Sequence, residues 1–193
     1  MSSSRNNAAE EVLLNAAREC VQRVGLRRTT LTDVARRAGV SRMTMYRRWP
    51  DMSTLVADLM TREWTALVAD AFEAARGDTA RDRFVSTVVR AVRALRAHPM
   101  FARIVALDPE ALLPYLVDRR GTSQDRILAR SVDALAKGGG DGSIRAADPE
   151  LLARGVLLTT HGFVLSTRTM TDAVTEDDLD RELKLLLDRY LRP

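Results

Sequence analysis

Apolar residues recur along the chain at intervals of three and four, the period of an amphipathic α-helix. In the first such stretch, Ala8 to Gly25, they form one stripe. The stripe comprises Leu13, Ala16, Ala17, Cys20, Val21 and Val24. Gly25 is placed to end the helix as a C-cap. Sustained alternation of apolar and polar residues, the mark of a strand, does not occur. The pattern therefore predicts an all-α chain of about nine helices.

Further helices are predicted after Pro50, separated by glycine and proline residues. They run over Ser53 to Arg76, Thr79 to Ala97, Phe101 to Leu107, a segment kinked or broken at Pro114, Gln124 to Lys137, Asp148 to about Thr169, and Glu176 to Leu191. Asp148 and Pro149 form a typical helix start, because Pro suits the first helical position.

One stretch, Thr29 to Pro50, predicts two short helices joined by a tight turn. Thr30-Leu31-Thr32-Asp33 matches a capping box, so a helix begins at Leu31. Gly39 can adopt a positive φ and turn the chain, and Ser41 caps a second helix that reaches about Arg48. This arrangement is a helix-turn-helix.

The second of these helices is rich in side chains that suit DNA. Arg42 can donate two hydrogen bonds to guanine, whereas a Thr or Met side chain can pack on a thymine methyl group. Tyr46 and the arginines after it suit phosphates, and the first helix begins where free N–H groups favour an anion. The predicted DNA-binding residues are Thr29, Thr30, Thr32, Ser41, Arg42, Met43, Thr44, Tyr46, Arg47 and Arg48. The alternative is an ordinary αα corner with a solvated basic surface.

The distribution of charge agrees with a polyanionic partner for this end of the chain. Residues 1–50 hold ten arginines and four acids, a net charge of +6, whereas residues 51–193 have a net charge of −2. Two domains are predicted: a helix-turn-helix DNA-binding domain over residues 1–50, and a ligand-binding and dimerisation domain over residues 51–193.

A specific motif of about 25 residues, from Gly25 to Trp49-Pro50, resembles the DNA-binding domain of the TetR family (tetracycline-repressor-type regulators). It is carried by Gly25, Thr29, Thr30, Val34, Ala35, Ala38, Gly39, Val40, Ser41, Thr44, Tyr46, Trp49 and Pro50. The resemblance implies a homodimeric, ligand-responsive transcriptional regulator, usually a repressor. Three positions depart from the family pattern: Met43 replaces a frequent Gly, Met52 a frequent Lys, and Arg48 a frequent His.

The resemblance also implies that helices four to seven surround an effector, and large amphipathic or apolar side chains there are the candidates to line its site. The predicted ligand-binding residues are Met60, Trp64, Phe84, Val88, Phe101, Tyr115 and His161. They predict a small, hydrophobic or aromatic effector of unknown identity. Any one of these apolar residues could instead be plain core, and His161 a satisfied core histidine.

Two helices near the C-terminus carry more apolar surface than one chain needs. The helix Leu151 to Leu165 is apolar on most of its circumference, and such a helix is buried on two sides. Together with the last helix it predicts a four-helix dimer interface, since paired recognition helices need two-fold symmetry. The predicted interface residues are Leu151, Gly155, Leu158, Gly162, Leu165, Leu179, Leu183, Leu186 and Tyr190. Packing within the monomer is the alternative.

The sequence lacks the signatures of several other protein classes. Cys20 is the only cysteine, which excludes an internal disulfide and a thiolate metal cluster and favours a reducing, cytoplasmic setting. The sequence contains no motif typical of a hydrolase, metalloprotease or nucleotide-binding enzyme. We therefore expect no catalytic residues, no metal or other cofactor and no membrane partner. A ligand-independent architectural or interaction protein that uses the helix-turn-helix remains the alternative to a regulator.

Overall fold

A computed structural model describes residues 2–193, with side chains from Ala8 onward, and over this range the fold is entirely helical. Nine α-helices and no strand occur among the described residues, which confirms the predicted all-α class. The helices are α1 (Ser2–Val24), α2 (Leu31–Ala38), α3 (Arg42–Arg48), α4 (Met52–Ala74), α5 (Ala80–Ala97), α6 (Pro99–Leu107), α7 (Thr122–Gly138), α8 (Pro149–Leu165) and α9 (Glu176–Leu191). Within the described range, no helix combines the length and apolarity needed to cross a membrane.

Two predicted helix ends illustrate how local chemistry sets the boundaries. The segment around Pro114 is broken as predicted, into a 3-10 turn at Pro109–Ala111 and a π turn at Pro114–Asp118. Helix α8 ends at Leu165, earlier than the predicted Thr169, and a 3-10 turn follows. In that turn the Thr167 hydroxyl donates to the carbonyl of Phe163, and such side-chain bonds to the backbone compete with helix continuation.

The first of two compact units comprises the chain up to Glu63 together with His98–Thr122. In it α1 packs against both α2 and α6, and α2 packs against α3. The apolar stripe predicted for α1 is buried at Leu13, Ala17 and Val21, with Val24 half-buried. Helix α1 therefore stabilises the helix-turn-helix by packing its buried apolar stripe against α2.

The second unit, Trp64–Ala97 with Ser123–Pro193, has its own apolar core. Twelve buried side chains of α5, α7, α8, α9 and the loop before α8 form it, among them Phe84, Leu152 and Leu187. Asp180 is buried in this unit and accepts from Arg93 and Arg96. The division by packing falls between Glu63 and Trp64, inside α4. The functional boundary near residue 50 is a different kind of division and stays a prediction.

Candidate nucleic-acid interface

The first helix of the motif begins with the predicted cap. The Thr30 hydroxyl oxygen accepts from the Asp33 backbone N–H at 3.1 Å, and the hydroxyl donates to the Asp33 carboxylate at 2.6 Å. This hydrogen bond from Thr30, followed by the charge of Arg36, holds the pKa of Asp33 below its usual value. The carboxylate therefore stays ionised at the start of α2, where the helix dipole favours a negative charge.

The turn between α2 and α3 has the geometry that the sequence predicts. Gly39 adopts a φ of +69°, a left-handed conformation that glycine reaches without strain. The Val40 N–H donates to the Ala35 carbonyl at 3.0 Å, which closes the end of α2. Ser41 caps α3, and its hydroxyl oxygen accepts from the Thr44 N–H at 3.2 Å. The helix-turn-helix is thus held by backbone and capping bonds on both sides of the turn.

One face of α3 is anchored in the first unit. Met45 and Trp49 are fully buried, and the Trp49 indole N–H donates to the Asp58 carboxylate on α4 at 2.8 Å. At about 100° per residue, Met43 and Arg47 lie nearly opposite Met45 on the helix. These two side chains therefore form the outermost ridge of α3. All of its long polar side chains are exposed: Arg42, Tyr46, Arg47 and Arg48.

The arginines of the helix-turn-helix differ in whether a carboxylate of the protein already pairs with them. Arg48 donates to Glu10 of α1 at 2.5 Å and lies over the Trp49 ring, with 5.6 Å between the guanidinium carbon and the ring centroid. Arg36 and Arg37 pair with Asp33 and Glu19 respectively. Two arginines of α3 have no ion pair with any residue that the structure describes: Arg42 and Arg47. The unneutralised charge of α3 is therefore concentrated on these two side chains.

The hydroxyl residues predicted to contact DNA lie in different environments. Thr30 and Ser41 are exposed, whereas Thr32 and Thr44 are half-buried. Thr29 is buried, and its hydroxyl donates to the Gly25 carbonyl at 2.7 Å. Its side chain therefore stabilises the turn between α1 and α2. Because Thr29 is buried, its position gives no support to a contact with DNA.

Two residues missed by the sequence reading belong to the surroundings of this site. Arg28 is exposed in the turn before α2, without an ion pair to any described residue, and lies outside the helical pattern used for prediction. Asp108 is buried at the end of α6 and accepts the Leu26 N–H at 2.7 Å. Gly25 has a φ of +87°, and a Cβ there would lie 2.7 Å from the Asp108 carboxylate. Only the fold brings this carboxylate to the turn that leads into α2.

The buried carboxylate of Glu63 is surrounded by basic side chains, and this Glu63 cluster links α1, α4 and the start of α6 within the first unit. Glu63 lies 2.5 Å from Arg62, 3.3 Å from His98 Nε2 and 3.6 Å from Arg18. Burial raises the pKa of Glu63, but hydrogen bonds from His98 and then Arg62 outweigh it and lower the pKa to about 2. The group is therefore charged at neutral pH and holds α1 to α4.

The seven predicted ligand-binding residues are distributed over both units. Met60, Phe101 and Tyr115 belong to the first unit; Trp64, Phe84, Val88 and His161 belong to the second. Phe84 and Val88 take part in the apolar core of the second unit, the role that the plain-core alternative gives them. His161 is half-buried, and burial lowers the pKa of its imidazole. The ligand-binding assignment of all seven stays a prediction.

The residues predicted to form the dimer interface are mostly on the surface of the second unit. Leu158 is 71% exposed and Leu151 60% exposed, and Leu186 and Tyr190 are also exposed. Leu165 and Leu179 are half-buried. Leu183 is fully buried in the core of its own unit and offers no surface to a partner.

The two glycines predicted for the dimer interface have different surroundings. A Cβ on Gly155 would meet the Tyr190 hydroxyl of the same chain at 2.5 Å, so this glycine serves the packing of α8 on α9. A Cβ on Gly162 would meet nothing within 4 Å. The lack of a side chain at Gly155 thus allows α8 and α9 of the same chain to pack closely.

Two short helices joined by a glycine turn, with an exposed cationic face, define a helix-turn-helix DNA-binding protein. Residues 13–59 match the family model described as bacterial regulatory proteins, tetR family. An uncharacterised helix-turn-helix transcriptional regulator of Mycobacterium bovis is 32% identical over 179 residues, which cover 93% of this chain and 92% of the relative. The chain belongs to the TetR family of bacterial transcriptional regulators. It is a regulator and not an enzyme.

Solved structures share the fold at low sequence identity. The TetR-family transcriptional repressor QsdR of R. erythropolis has a TM-score of 0.70 at 14% identity, with 97% of each chain covered. A transcriptional regulator of Saccharomonospora viridis in complex with choline has a TM-score of 0.64 at 17% identity, covering 97% of this chain and 99% of the other. At these identities the similarities show a shared fold.

Proposed function

We propose that the protein is a ligand-responsive repressor that binds a palindromic operator as a homodimer and is released by a small, hydrophobic effector. The observation that carries the DNA-binding part is the anchoring of α3. Met45 and Trp49 are buried on one side, while Arg42 and Arg47 are exposed and unneutralised by any described carboxylate on the other. A helix held in this way can enter the major groove with its free guanidiniums toward bases and phosphates.

The homodimer is supported by apolar surface that the monomer leaves uncovered. Leu151 and Leu158 on α8, with Leu186 and Tyr190 on α9, are large apolar or aromatic side chains exposed to solvent in a single chain. Helices α8 and α9 pack against each other, and large exposed apolar patches are typical of interaction sites. A second copy that pairs α8 and α9 would cover it and supply the second recognition helix of a palindromic site.

Two observations support the proposal that a small effector controls DNA binding: the family of the chain and the continuity of α4. The related structure from Saccharomonospora viridis holds choline, so this fold accommodates a small organic molecule. Helix α4 is continuous from Met52 to Ala74 and carries both Asp58, which holds Trp49, and the predicted ligand residue Trp64. In the proposed mechanism an effector prefers a second arrangement of α4 and thereby lowers operator affinity, with a coupling on the order of 1–3 kcal/mol. A DNA partner and a single, buried cysteine support a cytoplasmic setting.

Selection of bound duplexes from a random pool tests the DNA-binding proposal, followed by titration of the best duplex at several salt concentrations. The wild-type protein is expected to enrich a palindrome and bind it with a steep salt dependence. Arg42→Ala and Tyr46→Ala are expected to lose most of this affinity. Arg126→Ala, which removes an exposed charge of α7, is the matched control and should bind like the wild type. Enrichment of no duplex would contradict the proposal.

A panel of hydrophobic and aromatic small molecules then tests the effector. Compounds that raise the melting temperature of the free protein are added to the protein–operator complex. The proposal expects at least one of them to dissociate the complex at a concentration that saturates the free protein. If stabilising compounds leave operator affinity unchanged, the ligand-independent architectural protein becomes the better interpretation.

A further inference from the structure

Met43 occupies an unusual place for an apolar side chain. It is 77% exposed, the highest value among the large apolar side chains that the structure describes. A single exposed apolar residue is ordinary on a protein surface. This one, however, lies on the outermost ridge of α3, nearly opposite the buried Met45 and one turn before Arg47. It is therefore the apolar group that α3 carries farthest from the protein.

The other candidate for an apolar contact on α3 is less available. Thr44 is half-buried, and its hydroxyl oxygen lies 3.0 Å from the Ser41 hydroxyl at the start of the helix. Its side chain is thereby held against the N-cap. Arg42, Tyr46 and Arg47, the exposed neighbours of Met43, all carry polar groups that can bind phosphates or base edges. Met43 alone presents a long, flexible and wholly apolar end.

We infer that Met43 recognises the C5-methyl group of a thymine in each operator half-site, which makes it a specificity-determining residue. This inference rests on the proposed function, namely that α3 enters the major groove. Unmodified DNA presents one apolar group in that groove, the thymine methyl. Contact between this methyl and the Met43 side chain removes apolar surface of both from water, so the pair favours thymine over cytosine or uracil at one position.

Replacement of thymine by deoxyuridine tests the inference, because it removes the methyl group and leaves the hydrogen-bonding edge unchanged. Each thymine of the selected operator half-site is replaced in turn, and the affinity of the full-length protein is measured. At one position we expect a loss of about fourfold for one half-site and about fifteenfold when both half-sites are changed. In Met43→Gln, which has a side chain of similar length with a polar end, the same replacement should cause no loss.

Met170→Gln is the matched control, because Met170 is also an exposed methionine but lies outside α3. This variant should keep the full thymine preference. A half-site without thymine, or no loss at any thymine in the wild type, would overturn the inference while leaving the proposed function intact. An equal loss in wild type and Met43→Gln would also overturn it, since another side chain would then read the methyl. Failure to select any duplex would overturn the proposed function, and this inference with it.

Discussion

The charge of an arginine is available to DNA only to the extent that no carboxylate of the protein already holds it. In the helix-turn-helix, Arg47 is exposed without a described ion-pair partner, whereas Arg48 donates to Glu10 and stacks over Trp49. The sequence places both in the same turn of α3 and predicts the same phosphate-binding role for both. The structure separates them, because the partner of Arg48 lies on α1 and is brought near only by folding.

Substitution of these two arginines should therefore have unequal effects on operator binding. Arg47→Ala is expected to reduce the slope of log affinity against log salt by about 1 per subunit, as loss of one phosphate contact does. Arg48→Ala should change the slope less, because DNA must compete with Glu10 for that guanidinium. Salt titrations with the selected operator measure both slopes. Glu10→Ala is the matched test, since it should increase affinity through Arg48; equal slopes for the two arginine variants would contradict the assignment.

At the scale of helices, local signals were sufficient where a side chain caps the first turn, as in α2, α3, α8 and α9. They were not sufficient for α6, which begins at Pro99 and not at the predicted Phe101. Helix α9 spans the predicted Glu176–Leu191, and Thr175 caps it through a complete capping box. The Gly39 turn and the Ser41 cap likewise follow from residues a few positions apart. Contacts distant in sequence could not be predicted in this way. The buried Asp108 at the Leu26 N–H and the Glu63 cluster each join residues from different helices, and no periodic pattern marks such a pair.

The Glu63 carboxylate is expected to make the stability of the protein depend on pH in the acid range. The pKa of Glu63 in the folded chain is about 2, below the usual 4.5, so on acidification the unfolded chain binds a proton at this carboxylate before the folded chain does. The stabilisation is therefore complete above about pH 4.5 and is lost as the pH falls from there toward 2. At neutral pH, Glu63→Gln should lower the free energy of unfolding by about 1–3 kcal/mol, because Arg18 and Arg62 lose a buried charged partner.

Urea unfolding of wild type and Glu63→Gln, carried out from about pH 6 down to about pH 3, measures this effect. The difference between the two proteins should shrink as the pH falls. Glu182→Gln, a change at an exposed carboxylate of α9, is the matched control and should follow the wild type at every pH. A difference that stays constant over this range would show that Glu63 contributes through packing and not through its charge.

At the scale of the molecule, the exposed apolar side chains of α8 and α9 are the surface through which we propose that two copies pair. Leu158 is 71% exposed in the single chain, whereas Leu183, predicted for the same interface, is fully buried in the second unit. The sequence pattern groups the two because both lie on apolar helices, but the direction of each side chain depends on how α8 and α9 pack. A charge at the two positions should therefore act in different ways.

Leu158→Arg is expected to give a folded monomer, because the added guanidinium stays in water in the single chain but would be buried without a partner in a dimer. Sedimentation should show the halved mass, and circular dichroism an unchanged helix content. Operator affinity should fall by a factor of 100 or more, on the order of the cost of a buried unpaired charge. Leu183→Arg should instead prevent folding. Leu113→Arg, at a site 53% exposed in the first unit, should leave the mass unchanged. If Leu158→Arg keeps the dimer mass, α8 is not the interface, and the two recognition helices must be paired through another surface.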